Sequence, residues 1–348
     1  MVHLTLLPYL STTGELKTKP TQHSVKMLLE SGVQPDILVC RAEHKIAKEL
    51  KRKIALFCNV APEAVIEARD ASSIYEVPLL MDKEKLDEVV LKKLGVNETT
   101  SHNLDAWREF INRLNHPKNE IKIGLVGKYV ELKDSYKSIS EAFIHAGAQK
   151  ECKVKLEWIH SESLTEEVIG EKFKGLKGIL VAPGFGNRGI EGKILAIKYA
   201  RENQIPFLGI CLGMQCAVIE FARNVIGLSD AHSREMNPAT SNPVIDILET
   251  QKSIVNMGGT MRLGAYACRL EEGTIARTVY GKSEIMERHR HRYEFNNEYK
   301  SKFTNAGMIL SGMNPVADLV EIIELPNHPW FVGVQFHPEY KSTVTKPH

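Results

Sequence analysis

The sequence predicts an α/β protein: a doubly wound, mainly parallel sheet in its C-terminal two thirds, preceded by a smaller, partial α/β region. Three observations lead there. Short apolar runs alternate with helical patterns from residue 2 onward. A charged helical stretch then ends at the breaker His116-Pro117-Lys118-Asn119. Beyond it, strand-like runs recur with helices between the later ones, the pattern of a parallel sheet with helices on its faces.

Taken in order, HLTLL at 3–7 reads as a strand, 22–30 as a helix and DILVC at 36–40 as a second strand. A strand so close to the first residue needs a partner, and the expectation is a piece of a larger domain. Residues 83–94 and 105–114 are helical and charged, so 1–80 is read as a partial first domain, 81–120 as a helical linker and 121–348 as the second domain. In that domain strands are expected at 121–126, 154–158, 178–181 and 206–210, with a late one at 331–336. The stop at Lys346-Pro347-His348 precedes the closing helix such a domain calls for, and the chain is therefore read as a fragment.

Composition narrows the function classes. A net charge of +2 over 348 residues gives no global field for nucleic acid or an acidic membrane. The six cysteines are scattered without a C-x-x-C pair, which suits a reducing compartment and argues against structural zinc. No run approaches the roughly 20 apolar residues of a membrane span, and no signal-type leader opens the chain. The reading is a cytoplasmic protein with neither membrane nor nucleic acid as partner.

The chemistry concentrates at two places. In PFLGICLGMQ at 206–215 an apolar strand runs into a helix, with Gly209 and Gly213 two residues either side of Cys211. Such glycines permit a tight strand-to-helix turn, and the helix N-terminus favours a thiolate. The N–H after the nucleophile is placed for an oxyanion. Cys216, inside the apolar helix, is assigned to the core. Far downstream, FVGVQF at 331–336 ends in His337-Pro338-Glu339, where the proline restricts the backbone so that the carboxylate can reach back to the imidazole. Cys211 is the candidate nucleophile, His337 the base and Glu339 the orienting group.

GICLGMQ at 209–215 followed by QFHPE at 335–339 resembles the class I glutamine amidotransferases. The resemblance implies attack of Cys211 on the glutamine side-chain amide, a γ-glutamyl thioester, ammonia release and hydrolysis. VAPGFGNRG at 181–189, GGTMRLG at 258–264 and ERHRHRY at 287–293 together resemble the glutaminase domain of the CTP synthase family. Lys17-Thr18-Lys19-Pro20-Thr21-Gln22, in a loop before a helix, is similar to that family's UTP-contacting segment, and its lysines and hydroxyls suit triphosphate oxygens. Lys53 matches a UTP or CTP phosphate contact, and Arg69, Asp70 and Ala71 match ATP contacts. Around glutamine the family pattern implies Gly184, Leu212, Gly213, Met214, Gln215, Glu235 and Arg292.

For the intact protein the resemblance implies a ligase that aminates UTP to CTP with ATP and Mg²⁺. It also implies GTP activation, for which Arg188 or Arg262 is considered, CTP inhibition and a homotetramer. The Mg²⁺ ligands belong to a part absent from this sequence, no metal site is expected here, and the glutaminase step needs no cofactor. Ala182-Pro183-Gly184 departs from the family's Pro-Gly-Gly: Pro183 has no N–H, leaving Gly184 as the backbone donor. No G-x-x-x-x-G-K-[ST] occurs. The G-x-G-x-x-G at 184–189 sits mid-domain without a ribose-binding acid after the next strand, which argues against a dinucleotide site. RHRHR at 288–292 is too short and too poor in aromatics for a nucleic-acid surface. Rival readings are a glutaminase subunit of another synthetase and a non-catalytic regulatory module.

Overall fold

In the computed structural model, which describes residues 1–96, 103–247 and 261–348, the chain divides into two units, Met1–Asn112 and Arg113–His348. Gly258, Gly259 and Thr260 of the GGTMRLG motif lie outside the described residues.

The first unit is built on β1 (Val2–Leu7), α1 (Lys19–Glu30), β2 (Ile37–Ala42), α2 (Lys48–Cys58) and β3 (Val65–Arg69). The three strands pair in parallel in the order β1-β2-β3, with Val2 opposite Ile37 and Leu38 opposite Val65. β1 alternates as a half-buried strand should: Thr5 and Leu7 face inward, Leu4 and Leu6 outward. Helix α1 begins at Lys19, three residues before the expected start, because Pro20 is preorganised for a first turn. Lys19, Pro20, Thr21 and Gln22 are therefore helical, and only Lys17 and Thr18 precede the helix. The helices α3 (Val77–Lys83) and α4 (Leu86–Lys93) bring Met81, Leu86, Val89 and Val90 over Ile37, Ala64 and Ile66. Helix α5 (Asp105–Asn115) runs across the division of the chain.

The second unit opens with β4 (Asn119–Gly127), α6 (Lys137–Gln149), β5 (Cys152–His160), α7 (Glu166–Lys172), β6 (Gly178–Val181), α8 (Ile190–Glu202), β7 (Phe207–Ile210) and α9 (Leu212–Phe221). It continues with β8 (Arg262–Leu270), α10 (Ile275–Tyr280), β9 (Glu284–His291), β10 (Ile309–Met313), β11 (Val320–Glu324) and β12 (Phe331–Val334). Among the described residues these strands form one nine-stranded sheet, in the order β9-β8-β10-β11-β12-β7-β6-β4-β5. From β12 to β5 every pairing is parallel, whereas β12-β11-β10-β8-β9 is an antiparallel extension that sequence patterning did not reveal.

Helices cover both faces. α7, α8 and α9 pack one apolar layer, including Ile169, Ile194, Ile197 and Val218, while α6 and α10 contribute Ile139 and Ala276 to the other. Between those layers β6, β7 and β12 lie side by side, with Val181 opposite Gly209 and Ile210 opposite Val334. Their carboxyl ends therefore deliver Gly184, Cys211 and His337 to one edge of the sheet, where open α/β sheets place their sites.

Candidate active site

Cys211 occupies the turn between β7 and α9 with φ 53° and ψ −105°, a sparsely populated conformation for a side-chain-bearing residue. Such strain costs about 1–3 kcal/mol and must be held by its surroundings. Here the Cys211 N–H donates to Val334 O at 2.7 Å and the Gln215 N–H to Cys211 O at 3.1 Å. The flanking glycines have a different task from the one their spacing suggests. Neither has a positive φ; both make room. A Cβ on Gly213 would lie 2.2 Å from Val181 O, and one on Gly209 would lie 2.7 Å from Gly213 C. The turn's strain is carried by the cysteine, while the glycines let α9 lie directly on β6 and β7. Cys211 also stands at the N-cap of a ten-residue helix, whose positive end favours an anionic sulfur.

His337 follows β12, the strand beside β7. Its backbone N–H donates to Arg288 O at 2.8 Å, its ring stacks on Tyr340 with centroids 5.0 Å apart, and its Nδ1 donates to Glu339 Oε1 at 2.8 Å. Burial works against charge on the imidazole, but Cys211 and Glu339 on either side outweigh it and hold the imidazolium up to about 10. Nδ1 is thus committed to Glu339, and Nε2 makes no hydrogen bond of ordinary geometry among the described residues. Cys211, His337 and Glu339 are all buried.

A cavity of about 260 Å³ opens at Cys211. Of the residues predicted around the substrate, Gly184, Gln215, Glu235 and Arg292 line it together with Cys211. Leu212 and Met214 instead point into the core, at 2 % and 0 % exposure, and Gly213 is the close-packing glycine already described. Gln215 works as a strut: its Nε2 donates to Tyr293 O at 2.9 Å and to Gln335 Oε1 at 3.1 Å. Burial pushes the Glu235 carboxyl above its usual range, against the opposing pull of the Gly186 N–H, Arg292 and Lys128.

Sequence reasoning did not assign Phe185, Met261, Arg290, His291 and Tyr293 to this cavity, although they line it too. Arg290, His291 and Tyr293 belong to the quoted ERHRHRY run, whose first five residues end β9. Along β9 Ile285, Glu287, His289 and His291 face inward while Met286, Arg288 and Arg290 face outward. The inward histidines meet a buried charge cluster. Arg262 donates from Nη1 to Glu294 at 2.9 Å and from Nη2 to Glu321 at 2.8 Å, and His289 and His291 share a 2.8 Å hydrogen bond. Arg262 is thus buried and engaged at both ends, out of reach of an effector. Arg188 is exposed, 3.2 Å from Glu162 and stacked over Tyr129.

The predicted nucleotide residues of the first unit are differently placed. Lys17 pairs with Glu15, whose carboxyl is held below its usual range first by that hydrogen bond and least by the nearby charge of Lys53. Thr18 Oγ1 accepts from Gln22 at 3.1 Å, and buried Thr21 donates to Leu6 O at 3.1 Å. Asp70, between Arg69 and Ala71 past the end of β3, accepts from Arg41 at 2.8 Å. Among the described residues no three His, Cys, Asp or Glu side chains gather as around a metal ion, and no helix is long and apolar enough to cross a membrane.

Residues 131–348 match the family model described as Glutamine amidotransferase class-I, and residues 1–96 match the one described as CTP synthase N-terminus. Along its whole length the chain is 62% identical to the CTP synthase of Cytophaga hutchinsonii and 61% identical to that of Christiangramia forsetii, covering 65% and 64% of those proteins. It thus spans less than two thirds of the length of these curated relatives. Among solved structures it is similar to the glutaminase domain of Trypanosoma brucei CTPS with bound acivicin. There the identity is 38%, the TM-score 0.61, and the match covers 65% of this chain and 89% of that one.

Proposed function

The chain belongs to the class-I glutamine amidotransferase family, on its CTP synthase branch, and from that premise we propose that it hydrolyses glutamine at Cys211. The observation that carries the proposal is the elbow cysteine beside a His337 whose far nitrogen is fixed by Glu339 at 2.8 Å, with Cys211 itself lining a cavity that has Glu235 and Arg292 in its wall.

In the proposed reaction the Cys211 thiolate adds to the side-chain amide carbon of glutamine. The oxyanion is received by the N–H groups of Leu212 and Gly184. His337 gives its proton to the departing nitrogen, the C–N bond breaks, and ammonia leaves a γ-glutamyl thioester. Water then loses a proton to His337 and attacks the same carbon, so that glutamine and water yield glutamate and ammonia and the thiolate returns. Glu235 holds the substrate's α-ammonium, and Arg292 holds its α-carboxylate.

For the whole protein we propose glutamine-dependent conversion of UTP to CTP. ATP, as its Mg²⁺ complex, activates the uracil 4-oxygen, and ammonia displaces the resulting phosphate. Lys17, Thr18, Lys19, Pro20, Thr21, Gln22 and Lys53 serve the pyrimidine nucleotide, and Arg69, Asp70 and Ala71 serve ATP. The match of residues 1–96 to the CTP synthase N-terminus supports this acceptor over that of another synthetase. GTP activation, CTP inhibition, a homotetramer and a cytoplasmic setting belong to the same proposal.

The test is glutamate formation from glutamine by the chain and by Cys211→Ala, with and without GTP. Turnover in the first and none in the second is expected; equal rates in two folded proteins would remove Cys211 from the reaction.

A further inference from the structure

Lys193 is wholly buried on α8, yet its partner is neutral: Nζ donates to Ala182 O at 2.6 Å, and among the described residues no carboxylate pairs with it. An ammonium so placed is expensive to bury, and a methionine would fill the same volume without that penalty. Its position gives the charge a use. Ala182 stands two residues before Gly184, with Pro183 between them, and the Ala182 N–H already donates to Val126 O at 2.9 Å. On the other side of Gly184, Lys128 Nζ bonds to Phe185 O. A Cβ added to Gly184 would lie 3.5 Å from Lys128 Cε and 3.9 Å from Lys193 Nζ. The Ala182 carbonyl, in the peptide before the one that carries the Gly184 N–H, and the Phe185 carbonyl, two peptides after it, are thus both held by ammonium groups, which anchors the loop on either side of Gly184.

We propose that Lys193 is a positioning residue for glutamine hydrolysis: its ammonium clamps the Ala182 carbonyl, fixes the Gly184 N–H for the oxyanion and lends positive charge to the nucleophile elbow. The proposal rests on the glutamine-hydrolysis reading above. Burial lowers the ammonium's pKa to about 8, and of the groups facing it Cys216 and Cys211 favour its charge while Lys128 opposes it. The same ammonium places positive potential at the elbow that carries Cys211. Negative charge grows at the oxyanion only as the thioester forms, so the contribution falls on kcat rather than on substrate binding.

The test compares the unmodified chain with Lys193→Met and Lys193→Gln, folding being checked by circular dichroism. Steady-state glutamine hydrolysis and the rate of Cys211 alkylation by iodoacetamide are measured on each. The expected result for a folded neutral variant is kcat at least about tenfold lower with KM within threefold, and slower alkylation. A folded neutral variant with kcat and alkylation rate within twofold of the parent overturns the proposal, as does a loss confined to KM. Should the unmodified chain fail to hydrolyse glutamine, that failure counts against the hydrolysis reading, and the alkylation comparison alone decides the role of Lys193. If neither neutral variant folds, Lys193→Arg decides: kcat retained within threefold supports a required charge, and a folded protein whose kcat is at least about tenfold lower at unchanged KM contradicts it.

Discussion

The two units treat their candidate functional residues in opposite ways. In the second, residues 184, 211, 235 and 292 line one cavity of about 260 Å³ whose nucleophile is backed by His337, itself held by buried Glu339. In the first, Lys17, Lys53 and Asp70 lie at the surface, and two of them face carboxylates or guanidinium groups of their own chain. The first unit's cavity of about 720 Å³ is lined by other residues, among them Lys45, Lys51 and Glu84. A site whose polar groups are buried and held needs little reorganisation when charge develops. Exposed charges paired with their own neighbours are weakly coupled to the fold. The hydrolytic site is preorganised by packing, whereas of the nucleotide residues only Thr18 and Thr21 are buried and the charged ones are not.

Substitutions can break that contrast, beginning with the largest effect. Glu339→Gln should lower kcat for glutamine about 10²–10⁴-fold with folding intact, because Nδ1 of His337 loses the carboxylate that sets its orientation and charge. A rate within threefold would show that the imidazole needs no such support. Arg262→Met should destabilise the second unit by about 3–5 kcal/mol in urea denaturation, since it leaves Glu294 and Glu321 buried without their cation. An unchanged midpoint would mean that those carboxyls are held protonated.

Glu235→Gln should raise KM about 10–100-fold with kcat little changed, the loss of one charged contact made equally in ground and transition states. A fall confined to kcat would move Glu235 into the chemistry. Acid should expose the buried histidines. Burial first, then the charges of Arg262 and His337, depress His289 from 6.5 to about 3, and His291 is depressed too. Both stay neutral in the fold while the unfolded chain takes up protons below pH 6.5, so this stability is present above pH 6.5 and is lost progressively toward pH 3. Glu294, pushed up to about 8 first by burial, and His337, held up to about 10, act in the opposite direction over the same range, so the comparison is between chains: acidification from pH 7 to pH 5 should lower the urea midpoint more in the unmodified chain than in His289→Gln, and the same drop in both would contradict a buried neutral ring. Smallest of all, Lys53→Ala should change stability by under about 0.5 kcal/mol and leave glutamine hydrolysis within twofold. A larger effect on either would erase the difference between the units.

What the sequence made legible follows the same division. Strands β6, β7 and β12, and β4 from Ile123 on, are continuous apolar runs because both faces of a parallel sheet are covered, and that signal survives without any structure. Cys211, His337 and Glu339 were legible because each stands at the end of such a run. β9 was not, since three of its four inward residues are Glu287, His289 and His291. Its alternation is regular but its buried face is polar, so hydrophobic patterning is blind to it. The start of α1 was set too late because Lys19 and Thr21 carry no apolar period, although Pro20 marked the first turn. Lys193 left no trace at all: between Gly192 and Ile194 it reads as a solvated helix lysine, and only the packing of α8 against the loop after β6 gives it a role.

Of the six cysteines only Cys211 stands at a strained strand-to-helix turn beside a histidine, while Cys216 is pushed up to about 12 by its burial. Peptide mapping by mass spectrometry after exposure to a glutamine-like diazoketone tests it most directly. A single adduct on Cys211, prevented by excess glutamine, is the predicted result. Labelling of another cysteine in its place, or none in a folded chain that still releases ammonia from glutamine, would contradict it.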